Sequence, residues 1–232
     1  MKTVVLIGAT QGTGRELAKH YARQGDRVVI SGRDSDRSAE VAAELSKDVP
    51  GSVTGVALDL TRPAGVADAL AHLDRVDRLA VIGVPRARPA PTGFDVAAGT
   101  DLAISKLVGY AAVVGTLHPR MTPDASILLF GGVARTHPYP GSTIITAANA
   151  AVSGLVRTMS VGLAPVRVNA IHPGQLEDSP YWVANPAGLA EPRAQTLIGR
   201  LGTMRDTVDG SVFLLENELA NGIDLRLDGG RR

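Results

Sequence analysis

Three glycines at positions 8, 12 and 14, in Gly8-Ala9-Thr10-Gln11-Gly12-Thr13-Gly14, follow the apolar run Val4-Val5-Leu6-Ile7 and precede an amphipathic stretch carrying Leu17, Ala18 and Tyr21. A strand that breaks at glycines and re-enters as a helix lets backbone amides approach an anion, with the positive end of the helix dipole facing it. That chemistry suits a pyrophosphate, and a plain strand-to-helix turn without ligand is the competing reading. Two further positions favour a dinucleotide: Ser31-Gly32-Arg33 closes a second apolar run and Asp59 closes a third. In such a site an acid after the second strand accepts from a ribose 2′-hydroxyl, whereas an arginine there accommodates a 2′-phosphate. Arg33 therefore points to NADP(H) over NAD, against the alternative of a solvated arginine near a helix start.

These residues need a frame. Short β-branched runs at 3–7, 27–31, 52–58, 78–82, 126–130, 166–171 and 223–227 alternate with helix-like stretches near 13–24, 36–46, 64–73, 94–117, 142–163 and 206–217. This order predicts βαβ units: an α/β fold with a doubly wound, mostly parallel sheet flanked by helices on both faces, Rossmann-like, in one domain spanning 1–232. The runs are apolar on both faces, as a covered parallel sheet requires. Segments 85–93 and 173–192, rich in proline, follow strand ends where open α/β sheets bind ligands, so both are candidate substrate loops.

Composition narrows the partners. Lysine plus arginine (24) balance aspartate plus glutamate (23), which leaves no electrostatic footprint for nucleic acid or an anionic membrane and points to a small-molecule ligand. The absence of cysteine removes disulfides and thiolate metal sites and fits a reducing cytoplasm. His20, His72, His118, His137 and His172 are scattered without metal-ligand spacing, so no metal site is expected. The opening apolar run is too short for a signal peptide or a membrane span.

The glycine spacing, Ser-Gly-Arg at 31–33, Leu58-Asp59-Leu60, Arg167-Val168-Asn169-Ala170-Ile171-His172-Pro173-Gly174 and Leu227-Asp228-Gly229-Gly230 together resemble the short-chain dehydrogenase/reductase family through essentially the whole chain. The resemblance implies that Thr10, Gln11, Gly12 and Thr13 surround the pyrophosphate and that Asp59 and Leu60 flank the adenine. It likewise implies that Gly83 and Val84 follow the fourth strand, that Pro173, Gly174 and Leu176 lie against the nicotinamide, and that the chain forms a homodimer or homotetramer through its fourth and fifth helices.

The family's usual Asn, Ser and Tyr-x-x-x-Lys do not carry over. Anchored on Ala-Ala-Val-x-Gly-Leu at 150–155, the tyrosine position falls on Ile145 and the lysine position on Asn149; the serine position falls on Gly132, and the asparagine of the fourth helix maps to Asp101. Isoleucine cannot transfer a proton. Asn149 can still donate to a ribose hydroxyl without charge, or it is an ordinary buried amide. Replacement donors are expected in the loop after the fifth strand, where His137 offers an imidazole and Tyr139 a phenol, although two prolines also suit these side chains to surface packing. Asp101, expected to be buried with a raised pKa, is a third candidate. His172 reads as a satisfied core residue, and Tyr181-Trp182 as either a substrate lid or a loop anchor.

Orienting a carbonyl against a nicotinamide supplies roughly 7–11 kcal/mol, whereas a proton donor adds about 10²–10⁴-fold in rate. Loss of the tyrosine therefore leaves reduction feasible. The expectation is an NADPH-dependent oxidoreductase with an atypical active site, acting on a carbonyl-type small molecule. An NADP(H)-binding regulatory pseudoenzyme and a non-redox enzyme on the same fold remain open.

Overall fold

The computed structural model describes residues 1–85 and 90–232, so part of the 85–93 loop lies outside the described residues. Seven strands form one parallel sheet: β1 (Thr3–Ile7), β2 (Arg27–Gly32), β3 (Ser52–Ala57), β4 (Val76–Val81), β5 (Met121–Phe130), β6 (Arg167–Pro173) and β7 (Asp224–Leu227), in the order β3-β2-β1-β4-β5-β6-β7. The doubly wound fold expected from the sequence is what is found. The direction of winding reverses between β1 and β4, where Ile7 aligns with Ser31 on one side and with Val81 on the other. Open α/β sheets hold ligands outside the carboxyl ends of strands at such a switch point.

Alternation along the strands divides the core in two. Val5, Ile7, Leu79, Val81, Ile127 and Leu129 face one helical layer, with Tyr110, Val113, Leu117, Val152 and Val156. Val4, Leu6, Val28, Ile30, Ala80 and Leu128 face the other, with Leu17, Ala18, Tyr21, Val41, Leu214 and Leu215. The second layer is built by α1 (Gly12–Arg23), α2 (Ser35–Leu45) and α9 (Met204–Glu216), the last started by a capping box between Thr203 and Asp206.

Several elements differ from expectation. The helix near 64–73 reduces to a 3₁₀ turn at Pro63–Gly65 and α3 (Val66–Ala69). β5 begins at Met121, five residues early, because Met121 pairs with Val76 across a bulge between Val76 and Arg78. The late loop contains α7 (Pro180–Ala184) and α8 (Ala190–Ala194), and Pro180 occupies the first turn of α7, where its missing N–H costs nothing. The helix near 94–117 is not uniform: α4 (Val96–Ile104) runs into a π turn (Ser105–Gly109) before continuing as α5 (Tyr110–Leu117). α6 (Thr143–Gly162) completes this layer.

Candidate active site

A cleft of about 550 Å³ opens at the switch point, within the usual size for a small-molecule site. One end is the turn after β1. Gly8 has φ +84°, and a Cβ there would overlap the Gly83 backbone; Gly12 has φ +58°, and a Cβ on Gly14 would come 2.7 Å from Ala9 Cα. Side chains are thus excluded where the backbone must bend tightly. Gln11 caps α1 without a side-chain hydrogen bond and no acid occupies the first turn, leaving the leading amides and the positive helix end for an anion. This cradle fits a dinucleotide pyrophosphate.

The cleft is lined by Gly8, Thr10, Gln11, Gly12, Thr13 and Gly14 from the turn, by Gly32 and Arg33 after β2, and by Leu58, Asp59, Leu60 and Thr61 after β3. Gly83 and Val84 line it after β4, Gly131 and Gly132 after β5, and Pro173, Gly174 and Leu176 after β6. Asp59 Oδ1 accepts from the Thr61 amide at 3.0 Å and hydroxyl at 2.8 Å, which fixes the turn leaving β3. Ser179 and Pro180 close the side opposite the glycine turn, with Pro180 Cδ 3.9 Å from where a Gly12 Cβ would stand.

Two expected cofactor residues stand behind the wall. Ser31 is buried, and its carbonyl and Oγ both accept from the Gly8 amide at 3.1 Å, so it braces the turn. Asn149 is 2 % exposed, and its Oδ1 accepts from Lys106 Nζ at 2.9 Å.

Lys106, which the sequence reading did not single out, also faces the cleft. It is 1 % exposed, and donates from Nζ to Phe130 O at 2.6 Å, Gly131 O at 3.2 Å and Asn149 Oδ1. Burial without a compensating carboxylate lowers its amine from 10.5 to about 7. The Tyr110 ring lies 5.6 Å from Nζ, and its hydroxyl donates to the same Phe130 carbonyl at 3.2 Å. The signal was available: Lys106 is the lone charged residue in the apolar stretch 102–117.

The donors expected from the sequence lie elsewhere. Asp101 is exposed rather than buried: α4 turns Leu102 inward and Asp101 to solvent, and the π turn then brings Ser105 and Lys106 to the cleft. His137 and Tyr139 are half-buried in the loop after β5 but are not part of the cleft lining. A short 3₁₀ turn at Val133–Arg135 and the bond from His137 N to Val133 O at 2.9 Å fold that loop back on itself, and the Tyr139 amide donates to Ser142 Oγ at 2.9 Å. The Tyr181 and Trp182 rings meet edge to face at 4.9 Å, and Trp182 fills the space a Cβ on Gly188 would take, so Trp182 anchors the late loop.

His172 is a core residue tied to the site. Its Nδ1 accepts from the Gly132 amide at 3.2 Å, which leaves Nε2 to donate to Asp224 Oδ1 at 2.8 Å. Asp224 also receives Ser153 Oγ at 3.0 Å and pairs with Arg135 at 3.3 Å. Burial lowers the His172 pKa more than Asp224 raises it, so the ring is held neutral. A Cβ on Gly131 would overlap this ring, which explains the glycine there.

A glycine-walled anion cradle at the switch point of a parallel sheet defines a dinucleotide-binding protein of the doubly wound class. The comparisons agree: the family model described as "Enoyl-(Acyl carrier protein) reductase" matches residues 8–232. The chain belongs to the short-chain dehydrogenase/reductase family. Sulfoacetaldehyde reductase 2 of Chromohalobacter salexigens is 31 % identical over 188 residues, 76 % of this chain and 74 % of that protein. "Short-chain dehydrogenase/reductase ATR9" of Stachybotrys chlorohalonatus is 25 % identical over 253 residues, 99 % of this chain and 96 % of that one. A solved structure titled "short chain dehydrogenase/reductase family protein" superposes with a TM-score of 0.85 at 27 % identity, covering 99 % of this chain and 96 % of the other.

Proposed function

We propose that this chain reduces a carbonyl-type small molecule with NADPH, using a proton donor other than the family's tyrosine. The observation that carries the cofactor choice is the concavity beside the phosphate turn, lined by Thr10, Gln11, Gly32, Arg33, Asp34 and Arg37. Arg33 is exposed there and its guanidinium suits a phosphate monoester, while Arg37 Nη1 pairs with Glu40 at 2.6 Å. Asp34 is engaged as the cap of α2, its Oδ1 accepting from the Arg37 amide at 2.9 Å. When bound, the nicotinamide supplies hydride; this chain's residues orient it, exclude water and manage the proton.

Reduction of an aldehyde or ketone is supported by the sulfoacetaldehyde reductase relative. Against a tyrosine route stand Ile145 on α6 and Gly132 after β5, neither able to transfer a proton. The same two residues favour the second reading, a nucleotide-binding regulatory protein. We further propose a cytoplasmic homodimer or homotetramer, supported by the absence of cysteine and by exposed Val96, Val108 and Val161 on α4, the π turn and α6.

The test is binding first and turnover second. Arg33→Ala should weaken NADPH at least about tenfold more than NADH, as loss of a charge-assisted phosphate contact implies; equal losses refute the 2′-phosphate role. A screen of ketones, quinones and enones that consumes no NADPH, with NADPH binding demonstrated, refutes the reductase and leaves the regulatory protein. Sedimentation as a monomer at micromolar concentration refutes the oligomer.

A further inference from the structure

The inner wall of the cleft presents two consecutive polar residues of the π turn, Ser105 and Lys106, which the pyrophosphate and 2′-phosphate contacts leave unused. Ser105 is fully buried and its Oγ has no hydrogen-bond partner among the described residues, a costly state for a hydroxyl unless a ligand completes it. Lys106 is the converse, a buried cation held by three oxygens and no carboxylate. π turns insert one residue into a helix and are frequent at functional sites, because the insertion redirects side chains that a regular helix would point elsewhere.

Resting on the reductase reading, we propose that Lys106 is the proton donor of this pocket and that Ser105 Oγ hydrogen-bonds the bound ligand beside it. The carbonyl carbon gains a hydride from the reduced nicotinamide coenzyme, and the C=O π pair moves onto oxygen. That oxygen takes a proton from the Lys106 ammonium: an N–H bond breaks, an O–H bond forms, and the neutral amine is reprotonated from solvent. The 3.2 Å bond to the Gly131 carbonyl is the longest of the three and is the one the ligand oxygen displaces. Asn149 and the Phe130 carbonyl hold the amine meanwhile.

The surroundings keep this proton transferable. Tyr110 on the same helical run is buried, and burial raises its own pKa, so it stays neutral. From β6 comes only His172, held neutral, and behind it Asp224 pairs with Arg135. From α6 comes Asn149. A donor whose pKa sits near working pH is the most effective acid, and the desolvated Lys106 amine at about 7 meets that condition.

The experiment uses the full chain with ¹³C-labelled lysine, free and NADP⁺-bound. The other lysines are Lys2, Lys19 and Lys47, so four signals are assigned by one Lys106→Met variant. Lys106 Cε should titrate near neutrality and shift on cofactor binding. With an accepted carbonyl, kcat should fall as pH rises through that value, since the protonated amine is the active form. Lys106→Met should lower kcat by about 10²–10⁴-fold and remove that limb, with NADPH affinity changed only a few-fold. Ser105→Ala should weaken ligand binding while the Lys106 titration persists. Titration of Lys106 above about pH 10, or a kcat that survives Lys106→Met, overturns this role and leaves the reductase reading intact. A protein that binds NADPH but reduces no carbonyl overturns the reductase reading itself, and the donor role with it.

Discussion

Lys106 Nζ donates to Asn149 Oδ1 at 2.9 Å, joining the π turn to α6 across the end of β5. The amide thus spends its acceptor on a buried cation, while its Nδ2 faces Gly132, where a Cβ would approach to 2.9 Å.

Lys106 makes stability depend on pH in a definite direction. Its amine titrates near 7 when folded and near 10.5 when unfolded, so burial disfavours the charged form. Between those values the unfolded chain holds more protons, and stability rises with pH; below about 7 both states are protonated and the full penalty applies. At roughly 1.4 kcal/mol per unit the window is worth at most several kcal/mol. In urea titrations, the stability difference between wild type and Lys106→Met should shift in favour of wild type from pH 7 to pH 10. A flat difference would refute the depressed amine.

Installing a lysine at 149 should not help by itself. Asn149→Lys would set a second ammonium against Lys106 Nζ in a site 1–2 % exposed, and an uncompensated buried charge costs about 3–5 kcal/mol. The double variant Lys106→Asn/Asn149→Lys exchanges amine and amide and should recover part of that loss. A double-mutant cycle should give a favourable coupling of about 1–3 kcal/mol. Additive single and double variants would mean that the two side chains do not interact as described.

His172 should contribute an acid limb. Its folded pKa lies below the ordinary 6.5, chiefly through desolvation, so its share of stability is complete above about 6.5 and is lost as pH falls through the folded value. Protonation would also turn Nδ1 into a donor facing the Gly132 amide, which now donates to it at 3.2 Å. His172→Gln should flatten the fall of Tm with acid, and ¹⁵N ring shifts should report an Nε2–H tautomer at neutral pH. An Nδ1–H tautomer would contradict the geometry.

The strands and the cofactor turn were readable in the sequence because they are local: β-branched runs such as Val28-Val29-Ile30 and glycines such as Gly8 and Gly12 declare themselves within a few residues. The acid–base inventory was not. Whether Asp101 or Lys106 faces the cleft depends on a π turn, which rotates the helix without changing its apolar composition. His137 and Tyr139 had the right chemistry at the right strand end, but the 3₁₀ turn at Val133–Arg135 decides where the loop goes. Asn149 was correctly assigned to α6; that its acceptor is taken by a residue 43 positions away is a tertiary fact.

The two left-handed glycines of the phosphate turn should separate stability from binding. At Gly8, with φ +84°, a Cβ would overlap the Gly83 backbone, and neither β1 nor the end of β4 can move without disturbing their pairing. Gly8→Ala should therefore cost several kcal/mol, the sum of left-handed strain and overpacking. At Gly12, with φ +58°, the nearest atom to an added Cβ is Pro180 Cδ at 3.9 Å, an ordinary contact. Gly12→Ala should cost only the roughly 1–2 kcal/mol of left-handed backbone, yet its methyl group would stand in the cradle. Urea denaturation should rank Gly8→Ala as the more destabilised, while the folded Gly12→Ala protein should bind NADPH at least about tenfold more weakly than wild type, a loss of some 1.4 kcal/mol. Unchanged NADPH affinity in Gly12→Ala would move the pyrophosphate away from this turn, because a ligand seated on the first amides of α1 cannot share that space with a side chain.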